Sequence, residues 1–465
     1  MTTIGVAPGR QGGVVPALPS RRHAVLLALV GTAGLTAGLW LHGGGLRGLT
    51  VGPAGALTSA GRALGLAGAY LLLLQVLLIA RVPALERGWG QDVLARWHRW
   101  VGFASFNLVL AHVLTITVGY ALTDRTDPVH EGWTLLTQYG GMLLAAAGTV
   151  ALTVVVVTSV RAARRALRYE SWHLLHLYAY LGIGLALPHQ IWTGNDLVSS
   201  PSARAWWLAL YAVVAGLLVQ HRVVVPLLRS ARHGIEVSRV VQEADGVVSV
   251  HLVGRGLHRL RAQAGQFFVW RFLDGPGWTR GNPYSLSSVP GRRGLRITAK
   301  DLGDGSRRLA ELQPGTRVLI EGPYGRLTAD RRTKARVAFL ACGIGITPLR
   351  ALLEELDYAP GDAVLVYRAR HSRELALREE IEAIAQQRGV TVHYVTGARD
   401  PRHSSWLPRG ARGQDDARVL AELVPHLSSR DVYVCGPEPW MDAVAAAARR
   451  AGLPSAQLHA ERFAW

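Results

Sequence analysis

The sequence predicts a membrane α-helical bundle of six transmembrane helices, followed by an antiparallel β-barrel and an α/β domain. Three observations predict it. Six long apolar stretches fall early in the chain, at roughly 24–41, 62–80, 100–122, 133–160, 169–192 and 205–226. Each approaches the ~20 residues that carry a helix across ~30 Å of hydrocarbon. Over 234–330 the pattern changes to short Val/Ile/Leu runs broken by Gly and Pro, the mark of half-buried strands. Over 334–465 such runs alternate with glycine turns and amphipathic helical stretches. The boundaries follow: a disordered tail over 1–23, the bundle over 24–228, the barrel over 234–330 and the α/β domain over 334–465.

Composition agrees. The chain has 465 residues, 49% hydrophobic and 18% charged. That excludes a disordered chain and falls below the ~25% charge of soluble domains. Two cysteines, Cys342 and Cys435, exclude a disulfide framework and a four-cysteine iron–sulfur cluster. The net charge of +19 alone would suit nucleic acid. Its placement says otherwise. Fourteen arginines, among them Arg21, Arg22, Arg81, Arg87, Arg96, Arg99, Arg164, Arg222 and Arg229, occupy the tail and the loops at 81–99, 161–168 and 222–232. The alternate loops hold four: Arg47, Arg62, Arg125 and Arg204. The positive-inside rule then puts both termini in the cytoplasm and the protein in the cytoplasmic membrane, with lipid and not nucleic acid as its partner.

Ionisable rings inside a membrane are costly and point to function. The third span carries His98 and His112, and the fifth carries His173, His176 and His189. His98 and His112 stand ~21 Å apart along the axis and ~40° apart around it. His176 and His189 stand ~20 Å apart along theirs. Both helices run the same way, so His98 lies level with His176 and His112 with His189. Two cross-helix pairs at two depths are the layout for two bis-histidine haems. An ideal helix leaves His176 and His189 ~140° apart, so a kink at Pro188 or a π-bulge is required, and His173 is a rival ligand.

His98-Arg99-Trp100 with His112, and Tyr169-Glu170 with His176 and His189, resemble the ferric reductase transmembrane domain, shared by ferric-chelate reductases and NADPH oxidases. The resemblance covers roughly 62–226 and implies haem b at both levels.

The barrel holds three local signals among strand-like runs at 246–253, 265–273, 294–299 and 316–321. Asn282-Pro283-Tyr284-Ser285 sets an aromatic beside a hydroxyl, which suits stacking on a flavin ring and donation to its N5. Lys300 with Gly303, Gly305 and Ser306 offers a cation and a glycine-rich turn for a pyrophosphate. Glu321-Gly322-Pro323-Tyr324-Gly325 closes the barrel with a turn. In the α/β domain, a strand at 337–340 leads to Cys342-Gly343-Ile344-Gly345-Ile346-Thr347-Pro348 and a helix over 349–356. Glycines there let a dinucleotide phosphate approach the backbone. Arg368, Arg370 and Arg373 follow the next strand and suit an adenosine 2′-phosphate, favouring NADPH over NADH. A further strand ends at Cys435-Gly436-Pro437.

The order of these signals resembles a ferredoxin–NADP reductase-type module over about 234–465, with a Rossmann-like α/β domain. The resemblance implies that Asn282, Pro283, Tyr284, Ser285, Lys300, Gly303, Gly305 and Ser306 hold FAD. It implies that Gly343, Gly345, Thr347 and Pro348 hold NAD(P)H, and that Cys435, Gly436 and Pro437 lie by the nicotinamide. It makes Ser285, Cys435 and the terminal aromatic Trp465 the residues at the reacting rings. The sequence departs from relatives at Asn282, where His or Arg is usual, and at Cys342, which replaces a glycine. The function implied is a transmembrane oxidoreductase. It would pass electrons from cytosolic NAD(P)H through FAD and two haems, His98/His176 then His112/His189, to a ferric chelate or O2 outside. Donation to a redox partner protein is an alternative. A six-helix transporter with a regulatory nucleotide domain is the alternative of another class, and it would be colourless.

Overall fold

The computed structural model describes residues 21–160, 169–275, 277–292, 294–400 and 404–462. The tail before residue 21, the arginines of 161–168 and Trp465 lie outside them. Among the described residues, five helices are long and apolar enough to cross a bilayer: Arg22–His42, Gly52–Ile79, Gln91–Asp124, Met142–Ser159 and Pro201–His233. The remaining expected span is a helix too, Tyr169–Trp192, and it carries His173, His176 and His189. Those three rings and its tyrosines dilute its apolar character. Pro188 sits inside it, directly before His189. The π-helical turn in this part of the chain, Gln220–Val224, belongs to a different helix.

The chain forms two compact bodies, Met1–Leu71 with Ala104–Arg204 and Leu72–Phe103 with Ala205–Trp465. In the first, the Met142–Ser159 and Tyr169–Trp192 helices lie along each other. Two glycines permit it. A Cβ on Gly148 would stand 2.7 Å from the Gly182 carbonyl oxygen, and one on Gly182 would stand 2.9 Å from that of Gly148. Backbone on backbone is how membrane helices gain packing without a hydrophobic drive. Gly148→Leu is therefore expected to force the helices apart at a cost of about 1–3 kcal/mol. A lower melting temperature of the detergent-solubilised protein would register it, and an unchanged one would refute the close crossing.

In the second body, six strands follow the last membrane helix. They are β1 Glu236–Ala244, β2 Val247–Val253, β3 Phe267–Phe272, β4 Asn282–Ser285, β5 Leu295–Lys300 and β6 Val318–Tyr324. They form two three-stranded antiparallel sheets, β1-β2-β5 and β4-β3-β6. Isolated bridges at Glu236–Arg317 and Leu286–Ile297 join them. The expected barrel is thus two facing sheets without continuous closure. β4 is only four residues long and contains Pro283, which has no N–H to extend a ladder. The core between the sheets is Val248, Val250, Leu252, Phe268, Trp270, Ile297 and Ile320, all buried.

The rest of this body is a five-stranded parallel sheet in the order β11-β10-β7-β8-β9. Its strands are β7 Arg336–Cys342, β8 Ala363–Ala369, β9 Thr391–Thr396, β10 Arg430–Cys435 and β11 Leu458–Ala460. Alternation explains how both faces are covered. Val337, Phe339 and Ala341 of β7 face one core with the Ile346–Glu355 helix. Ala338, Leu340 and the half-buried Cys342 face the other, with the Glu438–Arg450 helix. The chain leaves β7 toward β8 and β9, then returns to place β10 on the other side of β7. Such a reversal opens a crevice at the carboxyl ends of the two strands, where open α/β sheets bind ligands.

Candidate functional site

Two membrane histidines share one arrangement. In the first body, His112 Nδ1 lies 2.7 Å from the carbonyl oxygen of Gly61. In the second, His98 Nδ1 lies 3.0 Å from that of Gln75. A carbonyl only accepts, so each Nδ1–H donates and Nε2 keeps its lone pair. This is how proteins orient a metal-binding imidazole. Both carbonyls belong to the Gly52–Ile79 helix, and Gly61 and Gln75 are spaced by fourteen residues, as His98 and His112 are. Gly65 lies against the His112 ring, where a Cβ would stand 2.6 Å from Nδ1. His189 is an electrostatic neighbour of His112, and its Nδ1 is buried beside the Ala186 backbone. His176 lies 3.3 Å through Nδ1 from Ser159 Oγ and stacks on Trp172 at 5.0 Å. The donor set fits haem ligation.

In the sheet pair, Tyr284 Oη donates to the Gly305 carbonyl at 3.5 Å, and Gly305 packs on the Asn282 amide. This draws β4 and the 303–306 turn together. Burial pushes the Tyr284 phenol up to about 12. Ser285 is buried beside it. The Ser306 hydroxyl accepts from the Leu302 N–H at 2.8 Å and donates to the Gly303 carbonyl at 2.9 Å. It therefore closes the turn. Lys300 Nζ lies 3.6 Å from Glu374.

In the parallel sheet, the two predicted loops meet. A Cβ on Gly345 would stand 2.3 Å from the Cys435 carbonyl oxygen, and one on Gly436 would stand 2.8 Å from Cys342 Cβ. Gly343 takes the left-handed conformation, φ 55°, with open space where a side chain would be. That leaves its backbone free to approach a phosphate. Thr347 Oγ1 donates to the Ile344 carbonyl at 3.0 Å, and both Thr347 and Pro348 are buried in the first turn of the helix. Pro437 precedes the Glu438–Arg450 helix. Burial holds the Cys342 thiol up at about 11 and raises that of Cys435 further, so neither is a thiolate at neutral pH.

The basic group at the carboxyl end of β8 divides. Arg370 and Arg373 are exposed. Arg368 is buried; its Nε donates to the Trp406 carbonyl at 2.9 Å, while its Nη2 has no partner. Sequence reasoning missed Arg399, just past β9. It donates to the Pro439 carbonyl at 3.2 Å and keeps a buried, unpartnered Nε beside Arg368 and Cys342. Its signal was the one used for Arg370, a cation at the carboxyl end of a parallel strand. Glu461 was missed as well. It follows β11, is buried, and accepts from the backbone N–H groups of Arg326 and Leu327. Burial, with Asp92 and Glu86 nearby, raises its carboxyl to about 8.

Within the second body, the Pro83–Trp89 helix and the end of the last span meet β6. Arg81, paired with Glu86 at 2.9 Å, stands 4.2 Å over the Tyr324 ring. Buried Glu321 is held between Arg222 at 2.6 Å and Arg271 at 3.1 Å. Arg326 donates to the Trp89 carbonyl at 2.7 Å.

Residues 64–187 match the ferric reductase like transmembrane component, and residues 339–446 match the oxidoreductase NAD-binding domain. Ferredoxin–NADP reductase B of Sorangium cellulosum (strain So ce56) is 32% identical over 213 residues, 43% of this chain and 85% of that protein. The chain belongs to the ferredoxin–NADP reductase family. This reductase is also 33% identical, over 204 residues, to the stachydrine N-demethylase reductase subunit Stc4 of Rhizobium meliloti (strain 1021). That match covers 42% of this chain and 57% of Stc4, so the reductase spans little more than half of that relative. The flavohem-like FAD/NAD binding domain of nitric oxide dioxygenase from Vibrio cholerae is 22% identical with a TM-score of 0.40, over 50% of this chain and 98% of that one. The reductase is thus a multi-pass membrane oxidoreductase with an FAD- and NAD(P)-binding module behind a ferric reductase like transmembrane component.

Proposed function

We propose that this chain oxidises NAD(P)H at the cytoplasmic face and delivers the electrons singly to a ferric chelate or O2 on the outer face. The observation that carries it is the repeated histidine–carbonyl pair, His98 with Gln75 and His112 with Gly61. Six spans, the five apolar helices together with Tyr169–Trp192, leave both termini in the cytoplasm. His98 with His176 would hold an inner haem b and His112 with His189 an outer one. Bound FAD would supply the exchange between two-electron hydride and single-electron chemistry, and the haems a one-electron path.

The chain's own groups position and insulate. Tyr284 and Ser285 would line the flavin ring, and Asn282, Lys300 and the 303–306 turn its phosphates. The Gly343 turn and the first turn of the Ile346–Glu355 helix would cradle the NAD(P)H pyrophosphate. Cys435 would sit by the nicotinamide as a neutral thiol, a packing group and not a nucleophile. Arg370, Arg373 and Arg399 would meet a 2′-phosphate. Arg399→Ala is expected to raise KM for NADPH about tenfold, the worth of a lost charge-assisted pair, and to leave that for NADH unchanged. Equal effects on both nucleotides would refute this role.

A second reading has its own support. Stc4 and the glycine betaine monooxygenase reductase subunit of Chromohalobacter salexigens, 28% identical over 242 residues, are named as subunits. A redox partner protein would then be the acceptor. One experiment tests both. Oxidised and dithionite-reduced spectra of the purified protein should show a b-type haem and a flavin. NADPH consumption is then followed with O2, with ferric chelates, and with superoxide dismutase added. A colourless protein would overturn the proposal. A haem-containing protein that reduces neither acceptor would favour the partner.

A further inference from the structure

We infer that Arg62 and Asp196 form a positioning clamp that sets the geometry of the His112/His189 level; the inference rests on reading those histidines as haem ligands. All of its parts lie in the first body. Arg62 donates through Nε to Asp196 Oδ2 at 3.0 Å, and through Nη2 to Asp196 Oδ1 and, at 2.8 Å, to the Gly43 carbonyl. Asp196 is buried.

The clamp is tied to both ligands through the backbone. Arg62 directly follows Gly61, whose carbonyl receives the His112 Nδ1–H. Asp196 lies in the short helical turn Asn195–Val198. The residue before that turn, Gly194, donates its N–H to the His189 carbonyl at 3.1 Å. The path therefore runs from the His112 ring to Gly61, through the ion pair, and back to His189. A buried ion pair is a poor source of stability, because desolvation offsets much of its attraction, but a forked arginine–carboxylate pair fixes register. The site is shaped for it. A Cβ on Gly43 would stand 2.0 Å from Asp196 Oδ1 and 2.7 Å from Arg62 Nη2, so any side chain there displaces the fork.

The test compares full-length wild type with Arg62→Ala, Arg62→Lys, Asp196→Asn, Gly43→Ala and the exchanged pair Arg62→Asp with Asp196→Arg. The readouts are haem per protein, the low-spin ferric EPR signals and a redox titration of the haem band. Loss of such a support costs about 10–100-fold in metal-site affinity. The alanine and asparagine variants should lose or shift one of two haem signals while flavin content stays. Arg62→Lys, without the fork, should restore only part, and the exchanged pair should retain more haem than Arg62→Ala or Asp196→Asn. Gly43→Ala keeps both charges and should reproduce the defect, which separates the clamp from a mere charge effect. Two unaltered haem signals in both Arg62→Ala and Gly43→Ala would overturn the clamp. A wild type free of haem would instead overturn the ligand assignment itself.

Discussion

Replacing His112 by alanine should remove one haem and leave the flavin chemistry intact. The expected spectrum has about half the b-type absorbance, since one axial ligand of two is gone at one level only. NAD(P)H should still bleach the flavin band at the wild-type rate, because the Gly343 turn and Cys435 belong to the other body. Electron delivery to the outer acceptor should fall by more than the ~10–100-fold that follows loss of a supporting contact alone. Gly65→Ala offers an independent route to the same result. Its methyl would press on the His112 ring, which a Cβ at that position would approach to 2.6 Å. If both variants keep the full haem absorbance, His112 is not a ligand.

The second large effect is a pH dependence set by Glu461. Its folded pKa is raised to about 8, chiefly by burial, whereas an unfolded glutamate titrates near ~4.3. Between those values the folded chain holds a proton that the unfolded chain has released. The stability contributed by neutral Glu461 is thus full below ~pH 4.3 and is lost as pH rises through about 8. Each unit of such a shift is worth ~1.4 kcal/mol, so the loss should be visible in a melting temperature. Glu461→Gln keeps the neutral shape without the titration. It should flatten the profile between pH 6 and 9 and exceed wild type at the alkaline end. Parallel profiles for the two proteins would show that the carboxyl does not carry the proton. Release of flavin fluorescence on heating is a suitable signal.

Much of this was legible in the sequence because it depends on side-chain periodicity. The six apolar stretches, the parallel α/β half and the glycine loops at 343–348 and 435–437 all follow from runs and turns. The spacing of His98 and His112 on one helix follows from helix arithmetic. Their anchors could not be read, because the Gly61 and Gln75 carbonyls are backbone groups with no residue preference. Arg368 was grouped with Arg370 and Arg373, yet only tertiary packing decides that it turns inward to Trp406. Glu461 looked like a tail residue; its character comes from Gly325, Arg326 and Leu327, more than a hundred positions earlier. β1 was missed because Glu236, Arg239, Gln242 and Glu243 break the apolar alternation on a strand with an open edge.

The junction around Tyr324 has a consequence for the order of assembly. Trp89 and Arg326 are partners separated by 237 residues. At ~5–20 residues per second of synthesis, the short Pro83–Trp89 helix waits roughly 12–50 s for the strand that will cover it. During that interval it carries a cation and an anion that the mature protein buries. The Arg81–Glu86 pair is local to the loop and neutralises it at once. The Tyr324 ring and the Arg326 guanidinium then arrive at a surface already prepared. A fragment begun after the last span would keep Glu321 paired to Arg271 but lack Arg222, and would lack the Arg81 guanidinium over Tyr324.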